Sequence, residues 1–208
     1  MLPSSGRALQ GLGRALAYID WERQEFGIAA ALSRDPAMMQ IYRASDPYLA
    51  FAKLAGAAPD TATKESHPEL RERFKVVTLA VGYGITAYGL ATRLNIPVVE
   101  AEHLLSLHRR CFPVFWEWVE GVLDYAHLNG VIRSRFGWQL RVTDRTKDRS
   151  IQNFPCQANG AEMLRLAAMR WQNPATLHVQ LLRRASSGSL RCPALGNGET
   201  AGGCQDAL

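Results

Sequence analysis

Arg71, Lys75, Leu79 and Tyr83 recur at four-residue intervals, and Gly84 follows directly. On a helix this spacing sets the four side chains in one slowly drifting row. Two cations followed by an apolar side chain and an aromatic make a graded strip. Its cationic end suits a polyphosphate, which Arg grips bidentately and Lys meets as a point charge, and its far end suits a base and sugar. A solvated basic edge running into a core has the same pattern. Asp20 ends the apolar run Ala15–Asp20, which reads as a buried strand, and Glu25 comes five residues later. A strand-end carboxylate beside a turn can hold Mg²⁺ together with substrate phosphates, and it is also an ordinary surface acid. The third group is Arg149, Asn153, Pro155 and Gln157. Arg, Asn and Gln hydrogen-bond phosphates and base edges, while a polar loop ending in a helix cap would be composed alike.

These residues need elements to hold them. Apolar residues at helical spacing predict a helix over Gln24–Leu32, and Asp35-Pro36 and Asp46-Pro47 each read as an N-cap followed by proline at the first helical position. A small-residue loop fills Gly56–Thr63. Ser66 and Glu69 have capping-box spacing and open a helix through about Leu79. Further helices are expected over Pro97–Arg110 and Pro113–Leu128. A hairpin then turns around Gly137, pairing Val131–Phe136 with Trp138–Val142, and a last helix runs from about Pro155 to Trp171. His103, His108 and Cys111 could suggest a metal, but a five-residue helical step turns the two histidines about 140° apart, so helix surface or core edge is the expected setting. Phe115, Trp116 and Trp118 are expected in the core. Gly82-Tyr83-Gly84 lacks the third glycine of a dinucleotide fingerprint.

With 208 residues, 47% of them apolar and 21% charged, the chain has the composition of a globular protein, not of a disordered, collagenous or coiled-coil one. Lys and Arg exceed Asp and Glu by 24 − 19 = 5, a balance compatible with a polyanionic partner. The four cysteines form no CxxC pair and no secretory signal is evident, so reduced thiols and a cytoplasmic setting are expected. The longest uncharged run, Val76–Thr92, is too short and too glycine-rich to span a membrane. The expected division is a lead-in over 1–14, a folded region over 15–172 and a disordered tail over 173–208. That tail has no aromatic residue and no lysine, as a truncated or frame-shifted end would.

Taken together and in this order, the three groups resemble motif A, motif B and the primer-contacting segment of the family A (bacterial DNA polymerase I-like) DNA polymerases. Asp20-Trp21-Glu22-Arg23-Gln24-Glu25 resembles motif A. Arg71-x3-Lys75-x3-Leu79-x3-Tyr83-Gly84 and the following Ile85–Leu90 resemble the motif B helix. Arg149, Asn153, Pro155 and Gln157 match the primer-template segment. The resemblance covers Leu16–Ala168. It implies a mostly helical α+β fold, the palm and fingers of a right-hand polymerase, with a short palm strand, a helical fingers subdomain and a β-hairpin before the last helix.

The resemblance also implies roles and partners. Asp20, helped by the carbonyl of Trp21, would bind both catalytic Mg²⁺ ions of a two-metal nucleotidyl transfer, and Arg71 and Lys75 would hold the incoming triphosphate, with Lys75 protonating the leaving pyrophosphate. Leu79 and Tyr83 would lie at the nascent base pair, and Glu25 would stand as the sugar gate that excludes a ribose 2′-OH. Arg149, Asn153 and Gln157 would contact DNA. The implied partners are primer-template DNA and deoxynucleoside triphosphates, for a chain acting as a monomer away from membranes. The sequence departs from the family pattern in two places. Leu79 stands where the family usually has Phe or Tyr, and the His-Asp dipeptide of motif C is not evident, Gln205-Asp206 being its only echo. The resemblance therefore leaves a second expectation, a catalytically inactive DNA-binding remnant, while a helical scaffold without a nucleic-acid role would show no salt-dependent retention on DNA.

Overall fold

A computed structural model describes residues 21–171 of the chain, and from Glu22 onward these lie within one compact unit, Glu22–Asn173. The expected strand Ala15–Asp20, the tail from Asn173, Cys192, Cys204 and Asp206 lie outside the described residues. Eight helices and one hairpin are present among the described residues: α1 (Gln24–Ser33), α2 (Pro36–Tyr42), α3 (Pro47–Leu54), α4 (Pro68–Gly82), α5 (Ala87–Leu94), α6 (Val98–Cys111), α7 (Pro113–Asn129), β1 (Val131–Arg133), β2 (Gln139–Arg141) and α8 (Asp148–Trp171). The fold is mostly helical with a small antiparallel ribbon, as the sequence led us to expect. No helix among the described residues is long and apolar enough to cross a membrane.

Both Asp-Pro caps form. Asp46 accepts from the N–H groups of Tyr48 and Leu49, both at 3.2 Å, and Asp35 from those of Ala37 and Met38 at 2.9 and 3.0 Å. Asp35 also reaches across the fold, where its second oxygen accepts from Phe115 N–H at 3.1 Å, in the first turn of α7. One fully buried carboxylate therefore satisfies orphan donors at the start of two helices.

Three sequence expectations are corrected. Ser66 does not cap α4: the helix starts at Pro68 after His67, which makes no side-chain cap, and Ser66 instead exchanges hydrogen bonds with Thr63 at 2.9–3.2 Å. A proline at the first helical position moves the boundary one residue past the capping-box register. Helix α5 was not anticipated. It is only eight residues long and contains Gly89, but Thr86 caps it by accepting from Gly89 N–H at 3.2 Å. The last helix begins at Asp148 rather than Pro155, so Arg149, Asn153, Pro155 and Gln157 all lie inside it. Proline normally marks a helix start because it lacks an N–H. Here burial of Ile151, Pro155 and Cys156 in the first two turns holds the helix through it.

The core is a single aromatic-centred cluster drawn from α1 to α7 and joined by Cys156 of α8. Phe51, Phe112, Phe115 and Trp116 surround His108 at ring-centroid distances of 4.8–5.9 Å. His108 is thus not at a helix surface or core edge but at the centre, 1% exposed, because it shares a face of α6 with Ala101, Leu104 and Leu107. Its Nδ1 accepts from the Trp116 indole N–H at 3.1 Å, and burial pushes its pKa down to about 3. Phe115 is buried as expected, and Trp116 and Trp118 are half-buried against the same core. A second, smaller cluster of Ala126, Ile132 and Ile151 lies under the hairpin.

Candidate active site

Two helix crossings create the site. Where α1 meets α8, Gln24 donates through Nε2 to the carbonyl of Gly160 at 3.1 Å, and a Cβ at Gly160 would stand 3.3 Å from Gln24 and Ile28. Where α4 ends against α8, Gln152 donates to the Val81 carbonyl at 2.9 Å. Gly84 lies at this second crossing with φ +65°, and a Cβ there would meet the Arg149 Cβ at 2.9 Å and its Cα at 3.1 Å. Glycine is required on both counts. Gly84→Ala is expected to cost about 1–3 kcal/mol of stability, read as a lowered urea midpoint; an unchanged midpoint would mean that α8 shifts freely away from α4.

The two crossings put Glu25 of α1, Tyr83 at the end of α4 and Gln157 of α8 into mutual contact. The Tyr83 hydroxyl donates to Glu25 Oε1, Gln157 Nε2 donates to the same oxygen at 2.6 Å, and Gln157 Nε2 lies 3.2 Å from the Tyr83 hydroxyl. Members of all three sequence groups thus meet at one carboxylate oxygen. Burial, then the hydrogen bond to Glu25 and its charge, push the Tyr83 phenol up to about 12, which keeps it protonated and a donor. Burial and the same carboxylate push the Cys156 thiol up to about 12, leaving it an inert thiol. Leu79 and Asn153 line the recess beside this triad, with room for about one water (≈ 20 Å³).

The cations sit farther along α4. Its rise separates Lys75 from Tyr83 by about 12 Å and Arg71 from Tyr83 by about 18 Å, so the strip is as long as the sequence pattern implied. Both cations already have partners. The Arg71 Nε donates to Asp46, the cap of α3, and its guanidinium lies 5.4 Å from the centroid of the Tyr48 ring. Burial alone would raise the Asp46 carboxyl, but the Arg71 hydrogen bond and charge and the Leu49 and Tyr48 N–H groups hold it below its ordinary value. Lys75 Nζ contacts the exposed Glu72 at 3.1 and 3.3 Å, a pair of little net worth. Arg149 is exposed in the first turn of α8. Asp20 lies outside the described residues, and Trp21 is the first of them. Among the described residues no three His, Cys, Asp or Glu side chains converge where a metal ion could sit. His103, His108 and Cys111 form no such group.

Sequence reasoning overlooked three residues that hold the site. Gln24 and Gln152 carry no signal, since an amide reaching a carbonyl of another helix has no local pattern. Asp46 was legible as a cap but not as the partner of Arg71, which is 25 residues away.

Comparison with known proteins places the chain in a family. The profile of DNA polymerase family A matches residues 8–182. A thermostable DNA polymerase I of Thermus thermophilus is 27% identical over 169 residues, covering 76% of this chain and 20% of that protein. DNA polymerase I of Mycobacterium leprae is 27% identical over 157 residues, covering 71% of this chain and 17% of the relative. Among solved structures, the POL domain of Pol1 from M. smegmatis, in complex with DNA primer-template and dNTP, superposes with a TM-score of 0.63 at 28% identity, over 71% of this chain and 27% of that one. The chain spans about a fifth of the length of the curated relatives it matches. With the family profile matched over most of its length, the chain belongs to DNA polymerase family A.

Proposed function

We propose that this chain takes part in template-directed DNA synthesis, transferring a nucleotidyl group from a deoxynucleoside triphosphate to a primer 3′-OH. The meeting of Glu25, Tyr83 and Gln157 at the end of a helix that also carries Arg71 and Lys75 supports this reading most directly. In this reading Arg71 and Lys75 exchange their carboxylate partners for the triphosphate, and Lys75 gives its proton to the departing pyrophosphate. Tyr83 and Leu79 pack at the nascent base pair. Glu25, fixed by its two donors, meets the sugar where a ribose would carry its 2′-OH. Arg149, Asn153 and Gln157, one helical row on α8, steady the primer terminus and template. Asp20 and the main-chain carbonyl of Trp21 are hard oxygen donors of the kind Mg²⁺ takes, and they would hold it. When bound, Mg²⁺ would supply Lewis-acid stabilisation of the phosphoryl charge.

Primer extension on a primed template with Mg²⁺ and four deoxynucleotides, run beside Asp20→Asn, tests this reading. Extension that falls at least about a hundredfold in the variant is the expected result. No extension, together with DNA binding that weakens steeply with salt, would overturn synthesis and assign the chain to the DNA-binding remnant. Glu25→Ala is expected to raise ribonucleotide relative to deoxynucleotide insertion by about ten- to a hundredfold in single-nucleotide kinetics. An unchanged ratio would remove Glu25 from the sugar gate.

A further inference from the structure

The outer face of the hairpin is not used by the site just described. The register pairs Val131 with Arg141, Ile132 with Leu140 and Arg133 with Gln139. Ile132 and Leu140 face inward onto Ala126 and Ile151. Strand alternation therefore puts Arg133 and Arg141 together on the opposite, solvent face, about 7–8 Å apart on the diagonal. Neither pairs with a carboxylate among the described residues.

Beside this face the last turns of α7 leave an open groove of about 500 Å³, lined by Tyr125, Asn129, Val131 and Arg133. Tyr125 is 57% exposed and takes no part in the core. Asn129 donates to the Tyr125 carbonyl at 2.8 Å, which fixes its amide and keeps its Oδ1 available as an acceptor. The charge along the chain through the hairpin and into α8 has one dominant sign. Between Asn129 and Arg149 six cations (Arg133, Arg135, Arg141, Arg145, Lys147 and Arg149) stand against Asp144 and Asp148, and Asp148 is engaged by His127 at 2.9 Å. Asp124 is exposed on α7 next to Tyr125 in the chain.

We propose that this groove is a second nucleic-acid contact that takes an unpaired nucleotide of a DNA strand, with the base against the Tyr125 ring and the phosphate on Arg133. An exposed aromatic beside an unpaired arginine is the combination that binds single strands, since every base has a face to stack but a duplex hides it. The inference rests on the proposed function for its DNA partner and adds the single-stranded part of the template to it.

The test is fluorescence anisotropy with two labelled probes, a blunt DNA hairpin and the same hairpin with a 5′ overhang of about ten thymidines. The whole chain is compared with Tyr125→Ala and Arg133→Ala, whose helix content is checked by circular dichroism. Both side chains are exposed, so the fold should be unchanged. Each substitution is expected to weaken the overhang probe about five- to tenfold and leave the blunt probe unaltered. Arg133→Ala should also lower the slope of log Kd against log salt by about 1. Equal affinities of chain and variants for the overhang would overturn the groove alone, as would full displacement of the overhang by free thymidine monophosphate. Failure of the unsubstituted chain to bind either probe would overturn the proposed function and the groove with it.

Discussion

Asp35→Ala is expected to lower the unfolding free energy by about 3–5 kcal/mol, from two lost caps of about 1 kcal/mol each and the desolvation of a buried N–H left without a partner. The carboxylate is fully buried and accepts three N–H groups, two opening α2 and one opening α7, 80 residues on in the chain. That loss is a large part of the 5–15 kcal/mol that holds a typical domain together, so a fall in melting temperature on the order of 10 °C should follow. Asp35→Asn is expected to be milder but still destabilising, because its NH₂ would face one of the N–H donors. Thermal and urea melts of the two variants check the ranking; an alanine variant within about 1 kcal/mol of the parent would mean that the α1–α2 junction refolds around the loss.

Acid should unfold the chain through His108. Its folded pKa, pushed by burial to about 3, lies below the ordinary value of 6.5. The unfolded chain therefore takes a proton as the pH falls through about 6.5, while the folded chain refuses it until near 3. The stability linked to this group is complete above about pH 6.5 and declines as the pH falls toward 3, by up to about 1.4 kcal/mol per pH unit. The accumulated loss is several kcal/mol, comparable with the whole stability of a domain. Asp46 adds a second decline, but only below its ordinary 3.8, since its folded value lies lower still. Urea midpoints at pH 7, 5.5 and 4.5 separate the two. The parent should lose stability across all three, and His108→Phe, which keeps an aromatic ring among Phe51, Phe112 and Phe115, should remain nearly level. Parallel slopes for parent and variant would show that imidazole burial does not control acid stability.

What the sequence disclosed and withheld follows from the range of the forces involved. Asp35 and Asp46 were legible as caps because a cap is decided within three residues. The row from Arg71 to Tyr83 was legible because four-residue spacing is the helix's own period. Pro155 misled because its local preference was overridden by packing of Ile151 and Cys156 against other elements, which a single window cannot contain. His108 was placed at an edge for a related reason. Its polarity argues for water, and only the four aromatic rings around it show why a neutral imidazole is tolerated there. The Glu25–Tyr83–Gln157 meeting joins residues 58 and 132 positions apart from Glu25. No residue pattern encodes that distance, and the resemblance gave the three residues separate roles without pairing them.

If Arg71 takes a polyphosphate as proposed, the cap of α3 and that polyphosphate would share a single guanidinium, whose Nε Asp46 already holds. Whatever draws Arg71 away leaves a carboxylate that must find water or rely on the N–H groups of Tyr48 and Leu49 alone. Any coupling between the two would be reciprocal: a tighter cap would weaken phosphate binding by the same factor by which phosphate weakens the cap. A nucleotide would accordingly bind less tightly than its direct contacts imply, and Asp46 would set how much of that affinity is withheld. In the proposed reading Asp46 would thus act on the ligand without touching it, as a counter-ion already resident on the guanidinium that the phosphate approaches.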